Sequence, residues 1–207
     1  MSITTWEKIY DQTLSSAATS VTISNLTGDT DLEYKLEARI VNGYNGATNL
    51  YLRLNNDDTA ANYGFQWLYA NNITAYASRN ASVHQGIQFT LSALNYITMF
   101  TTKIFAKSGY VRTCISEVSQ DITESTVIQL VLKGDSYSET ATEITRIDIL
   151  ADQTNGFGVG SQIVLWRRKT INLITSSEST IKNQGTYALK CVAGATSTLN
   201  KTLTKTF

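Results

Sequence analysis

Proline is absent from this 207-residue chain, where about ten would be ordinary at about 5% usage. Proline is a common means of blunting exposed strand edges. Edges here must be protected in another way, and pairing with a neighbouring copy is one solution. Histidine occurs once, at His84, which excludes a metal site built on two or more imidazoles. The two cysteines, Cys114 and Cys191, stand far apart and belong to no CxxC or Cys/His pattern. They read as free thiols, with a disulfide joining the body to the C-terminal segment as the minor alternative. Charged residues make up only 16% of the chain, against roughly 25% in an average domain. Basic and acidic residues balance at 17 each, which argues against a nucleic-acid partner, a polybasic membrane anchor or an acidic tail. No apolar run approaches the roughly 18 residues of a membrane helix. The first residues lack the basic and apolar regions of a signal peptide. Neither membrane insertion nor export is expected.

What the chain does contain is threonine, serine and asparagine, about three residues in ten, a composition suited to strands and turns. With 42% hydrophobic residues it can build a packed core. Period-two alternation recurs: in Leu32–Ile40 the apolar side is Leu32, Tyr34, Leu36, Ala38 and Ile40, opposite Glu33, Lys35, Glu37 and Arg39. Asn49–Leu54 alternates likewise, and Gly43, Asn45 and Gly46 between the two runs predict a hairpin. Further strands are expected at Trp6–Asp11, Val21–Leu26, Tyr63–Ala70, Ile87–Leu91, Tyr96–Phe105, Tyr110–Val118, Thr126–Leu132, Ile144–Leu150 and Gln162–Arg168. Glu139–Leu150 comes nearest to a helical period, but its β-branched residues favour strand. This pattern predicts an all-β protein, an antiparallel β-sandwich of jelly-roll type spanning 1–169. Residues 170–207 form a C-terminal β extension: an arm that docks on the body or on another subunit, or the start of a second β domain. Its alternating runs, Tyr187–Val192 and Leu199–Phe207, read as two strands joined at Gly194, and Tyr187, Leu199, Leu203 and Phe207 are its candidate subunit contacts.

No constellation for catalysis stands out. A Ser/His/Asp triad would need His84, which reads as an exposed loop residue and has no GxSxG elbow beside it. Gly156, Gly158 and Gly160 form a G-x-G-x-G run, but they lead into a strand rather than a helix, so a turn is expected instead of a phosphate cradle. The acidic turns Gly28–Asp31 and Asn55–Asp58 lack an EF-hand pattern and read as solvated turns. Trp166-Arg-Arg-Lys169 reads as a solvated strand end. The most informative run is Tyr63, Phe65, Trp67 and Tyr69, four rings on one face of a strand. The opposite face is small or polar except Leu68, so burial as core is the expected arrangement; exposed, the rings would make a stacking platform for sugars or bases, or a subunit contact. Trp67 and Trp166 are accordingly the candidate ligand-binding residues. No enzyme activity, metal or cofactor is expected.

Two stretches carry a resemblance. Leu50–Tyr63, with its strand, Asn/Asp turn and Asn-Tyr restart, resembles structural proteins on the outer surface of tailed bacteriophage particles. Ile144–Leu150 followed by Asn155–Trp166 resembles the closing pair of strands in the same proteins. Together the resemblance covers roughly Trp6–Lys169. It implies a jelly-roll-like sandwich that decorates a capsid or forms part of a head or tail fibre. Its partners would be copies of itself, as a trimer or other homo-oligomer, and other virion proteins. The location would be the virion surface, and no catalytic residues are carried over. The alternative function is a carbohydrate-binding module or host-receptor adhesin.

Overall fold

The alternating runs become strands almost throughout. A computed structural model describes residues 2–71, 74–81, 84–123, 127–172, 174–176, 189–193 and 197–201. The chain divides into two compact units, Glu7–Arg167 and one made of Met1–Trp6 with Arg168–Phe207. The first carries two antiparallel sheets. The strands of these sheets, with Ser2–Trp6 of β1 and Arg168–Asn172 of β12 counted in the other unit, are β1 (Ser2–Thr13), β2 (Ser20–Ser24), β3 (Glu33–Val41), β4 (Thr48–Leu54), β5 (Tyr63–Asn71) and β6 (Thr74–Ala81). There follow β7 (Ile87–Leu91), β8 (Ile97–Phe105), β9 (Arg112–Thr123), β10 (Val127–Tyr137), β11 (Arg146–Ala151) and β12 (Gln162–Asn172). The large sheet has eight strands in the order β1-β12-β3-β8-β9-β10-β5-β6, and the small one has four, β2-β11-β4-β7.

One core joins the sheets. Tyr34, Leu36 and Ile40 of β3 and Ile163 and Leu165 of β12 meet Leu50, Leu52, Leu54, Ile147 and Ile149 from the small sheet, all of them fully buried. Each such aliphatic side chain withdraws enough apolar area to contribute about 1.5–3 kcal/mol. Phe89 and Phe100 stack between the sheets with ring centroids 4.3 Å apart. Under β8–β10 the inner face turns polar: Thr102, Arg112, Ser116 and Lys133 are buried there. The Arg112 guanidinium donates to the carbonyls of Glu139 and Thr142, which satisfies two of its donors.

The expected hairpin between the runs at 32–40 and 49–54 does not form. β3 pairs with β8 and β12, while β4 pairs with β7 and β11. Both runs are apolar on one side, and placing them in facing sheets buries each against the other. The Gly43–Gly46 segment thus crosses between sheets. Likewise Ile144–Leu150 and Asn155–Trp166 are not a pair: β11 belongs to the small sheet and β12 to the large one.

The G-x-G-x-G run leads into β12 through a turn, as its context suggests. Phe157 is fully buried and bridges both Ala18 and Asn42. Its flanking glycines let the backbone pass against the Gly43 crossing. A Cβ on Gly43 would lie 2.3 Å from the Asn155 carbonyl oxygen and 2.9 Å from the Gly158 Cα, both backbone atoms. Gly43→Ala is therefore expected to destabilise the protein by about 1–3 kcal/mol, as overpacking does. Urea unfolding curves check this against a Gly134→Ala control, whose Cβ would meet only the Gln66 carbonyl oxygen at 4.0 Å and which should change stability little.

The acidic turns are not the solvated loops expected of them. Gly28–Asp31 is one helical turn (α1). Within it Asp31 is buried and accepts hydrogen bonds from the Tyr34 hydroxyl at 2.8 Å and Thr27 Oγ1 at 3.0 Å. Asp29 accepts from the Ser108 amide and hydroxyl. Asp57 accepts from the Tyr137 hydroxyl at 2.9 Å and from Asn62. These carboxylates tie loops to strands, so their oxygens are already engaged. Cys114 is a buried free thiol, and burial pushes its ionisation far up.

In the second unit β13 (Ile174–Ser176), β14 (Leu189–Ala193) and β15 (Ser197–Lys201) form a three-stranded antiparallel sheet. The two tail strands read from the sequence overlap β14 at Leu189–Val192 and β15 at Leu199–Lys201. Leu199 pairs in register with Cys191, whereas Tyr187, Leu203 and Phe207 lie outside the described residues.

Candidate functional site

Four facing strands cannot cover eight. β9, β10, β5 and β6 continue the large sheet beyond β8 in two hairpins, β9–β10 and β5–β6. Every side chain described in β6, Thr74–Arg79, is exposed whichever face it points to. This overhang carries the two surface features of greatest chemical interest, one on each face.

On the outer face the registers set side chains in rows across the sheet. One row runs Gln162, Arg39, Met99, Ser119, Leu130, Ala70 and Ala75. The next runs Val164, Glu37, Thr101, Glu117, Leu132, Leu68 and Ala77, and the third Trp166, Lys35, Lys103, Ile115, Gly134, Gln66 and Arg79. Where β10, β5 and β6 cross the first two rows, every side chain is aliphatic and none is charged. Leu68, Met99, Ile115, Leu130 and Leu132 are 50–58% exposed. A shallow trough of about 1220 Å³ runs along these rows. Exposed apolar patches beyond a few hundred Å² are uncommon on monomers and mark contact surfaces. Toward β3 and β8 the charges fall in stripes, with Glu37 and Glu117 in one row and Lys35 and Lys103 in the next.

Trp166 stands at the end of that third row. Its indole N–H donates to Glu37 Oε2 at 2.8 Å, and the Lys35 ammonium lies 5.1 Å from its ring centroid. Burial works against the Glu37 charge, but the bonds from Lys35 and Trp166 outweigh it and hold the carboxyl below its ordinary value. Trp166 is thus engaged by its own sheet. Nor is the basic run beside it freely solvated, because Arg167 pairs with Glu7 at 2.9 Å and with Asp31 at 3.5 Å.

Trp67 lies on the opposite, inner face. The four-ring run splits: Tyr63 and Phe65 are buried core, while Trp67 and Tyr69 are half-buried where the small sheet ends. The rings form a ladder, with Phe65 on Trp67 at 4.7 Å, Trp67 edge-on to Tyr69 at 6.3 Å and Tyr69 stacked on Tyr76 at 4.8 Å. His84 stacks on Phe65 at 5.1 Å and is half-buried, not the exposed loop residue expected. Burial and the nearby Lys133 both lower its pKa. A cleft of about 200 Å³ opens between this ladder and β7, lined by Trp67, Tyr69, Phe89, Gln88, Thr90, Gln120 and Gln129.

Beneath the ladder lies an ion pair that sequence reading missed. Lys133 and Asp135 are 2% exposed, with Nζ and Oδ1 2.8 Å apart. Nζ also donates to the Gln88 carbonyl at 2.9 Å and sits 4.7 Å from the Phe65 centroid. Burial lowers the Lys133 pKa against the pull of Asp135, and burial pushes Asp135 up to about 6.

No family model, curated protein or solved structure matches the chain. Among the described residues no group of three or more His, Cys, Asp or Glu side chains could hold a metal ion, and no helix is long and apolar enough to cross a membrane.

Proposed function

We propose that this chain is a non-enzymatic structural protein that assembles with copies of itself, as a trimer or other homo-oligomer, on the outside of a tailed-bacteriophage particle. The observation that carries the reading is the uncharged aliphatic band on the outer face of the large sheet. A second copy is the occupant that best fits it, because the charge stripes beside the band are self-complementary. The acidic row of Glu37 and Glu117 lies next to the basic row of Lys35 and Lys103, so a copy laid on the aliphatic band can set unlike charges opposite each other beside it. Burying the aliphatic part then supplies the driving force, and the stripes fix the register.

The strand order supports a jelly-roll sandwich. Without the inserted hairpins β5–β6 and β9–β10, the sheets read β1-β12-β3-β8 and β2-β11-β4-β7. Strands β1·β12, β2·β11, β3·β8 and β4·β7 are then four antiparallel pairs wound together, as a jelly roll requires. The placement on a virion rests on the resemblance of Leu50–Tyr63 and Ile144–Trp166 to surface proteins of phage particles, with capsid or tail proteins as further partners. Mass spectrometry of purified particles tests it. The protein should be present in fixed stoichiometry and accessible to antibody on intact particles; its absence from them sinks the reading.

A further inference from the structure

We propose that the cleft between the aromatic ladder and β7 binds a neutral sugar ring. Its walls combine the two things a sugar needs. Tyr69 and Trp67 present half-buried ring surface to the apolar C–H face of a pyranose, while the buried Trp67 indole N–H, which finds no acceptor among the described residues, and the Gln129 amide, whose Oε1 takes a bond from Gln120, serve its hydroxyls. At about 200 Å³ the cleft holds one ring rather than an extended ligand. Its one charged lining residue, Lys133, is already neutralised by Asp135 at 2.8 Å and bonded to the Gln88 carbonyl. A phosphate or carboxylate would therefore find no free cation among the lining residues, which sets a neutral saccharide apart from a nucleotide or an acidic peptide. The ladder continues outward through Tyr76, 47% exposed and stacked on Tyr69, so that a neighbouring sugar of a chain would meet a second ring. The inference goes beyond assembly: the cleft opens on the inner face, away from the aliphatic band.

The test is saturation-transfer difference NMR on the full chain with the methyl glycosides of glucose, galactose, mannose and N-acetylglucosamine. Each is present at about 10 mM, enough to fill most of a millimolar site. At least one glycoside should receive saturation. Tyr69→Ala and Gln129→Ala should each weaken it roughly tenfold, the scale of one stacking or polar contact. Trp166→Ala, on the other face, should leave binding unchanged. Circular dichroism confirms that each variant is folded. Absence of saturation for all four glycosides overturns the proposal, and so does binding that folded Tyr69→Ala and Gln129→Ala retain in full.

Discussion

Asp135→Ala is expected to lower stability by about 3–5 kcal/mol, the loss typical of breaking a buried ion pair. The substitution leaves the Lys133 ammonium beneath Phe65 and Phe89 with the Gln88 carbonyl and no counter-charge. Burial already lowers the Lys133 pKa and Asp135 opposes that shift, so removing Asp135 lowers it further. A lysine depressed in the folded state contributes stability above its unfolded value, near 10.4, and that stability is lost as pH falls through the folded value. Asp135 contributes with the opposite slope, and the variant loses that contribution. Raised to about 6 in the folded protein, it contributes stability that is full below its unfolded value and lost as pH rises through about 6. Both effects make the deficit of the variant largest at acid pH and shrink it toward pH 10. Urea unfolding of both proteins at several pH values checks this. Adding Lys133→Met should restore most of the loss, because a well-packed apolar side chain has no charge to desolvate. A deficit below about 1 kcal/mol that does not change with pH would contradict the account.

That pair also marks where sequence reading failed. Alternation located most of the strands because one face of each is apolar, as in Tyr34, Leu36, Ala38 and Ile40. The run at 126–132 was expected to end at Leu132, yet β10 continues to Tyr137. Its inward residues there are Lys133 and Asp135, which a pattern based on apolar residues reads as solvent-facing. β6 was not expected at all. Thr74-Ala-Tyr-Ala-Ser-Arg is exposed on both sides and sets only the small Ala75 and Ala77 on the face it shares with the aliphatic band, too weak an alternation to detect. The aromatic run was legible as one face, but its division into core (Tyr63, Phe65) and cleft wall (Trp67, Tyr69) depends on where the four-stranded sheet stops. Nothing local to the run encodes that. The aliphatic band is assembled from β10, β5 and β6, and only the register between distant segments brings Leu68, Leu130 and Leu132 together.

Leu68→Glu combined with Leu132→Glu is expected to weaken self-association by at least about a hundredfold. The two residues face each other across the β10–β5 pairing and are 54% and 50% exposed in the single chain. The monomer bears the change at about 0.5 kcal/mol or less for each surface substitution plus up to about 1 kcal/mol for each like-charge pair along Glu117, position 132 and position 68. In the assembly each carboxylate is carried into the aliphatic contact, a cost of several kcal/mol. Glutamates at Thr74 and Ser78, on the other face of the overhang, should leave association intact. Analytical ultracentrifugation of the variants alongside thermal melts separates loss of assembly from loss of fold.

The most direct measurement is the native mass of the unmodified chain across the micromolar range, by sedimentation velocity. An integer multiple of 22.8 kDa is predicted, with the multiple falling to one in the Leu68→Glu, Leu132→Glu variant. A mass of 22.8 kDa for the unmodified chain at every concentration would contradict the proposal that the outer face of the large sheet is built to meet a copy of itself.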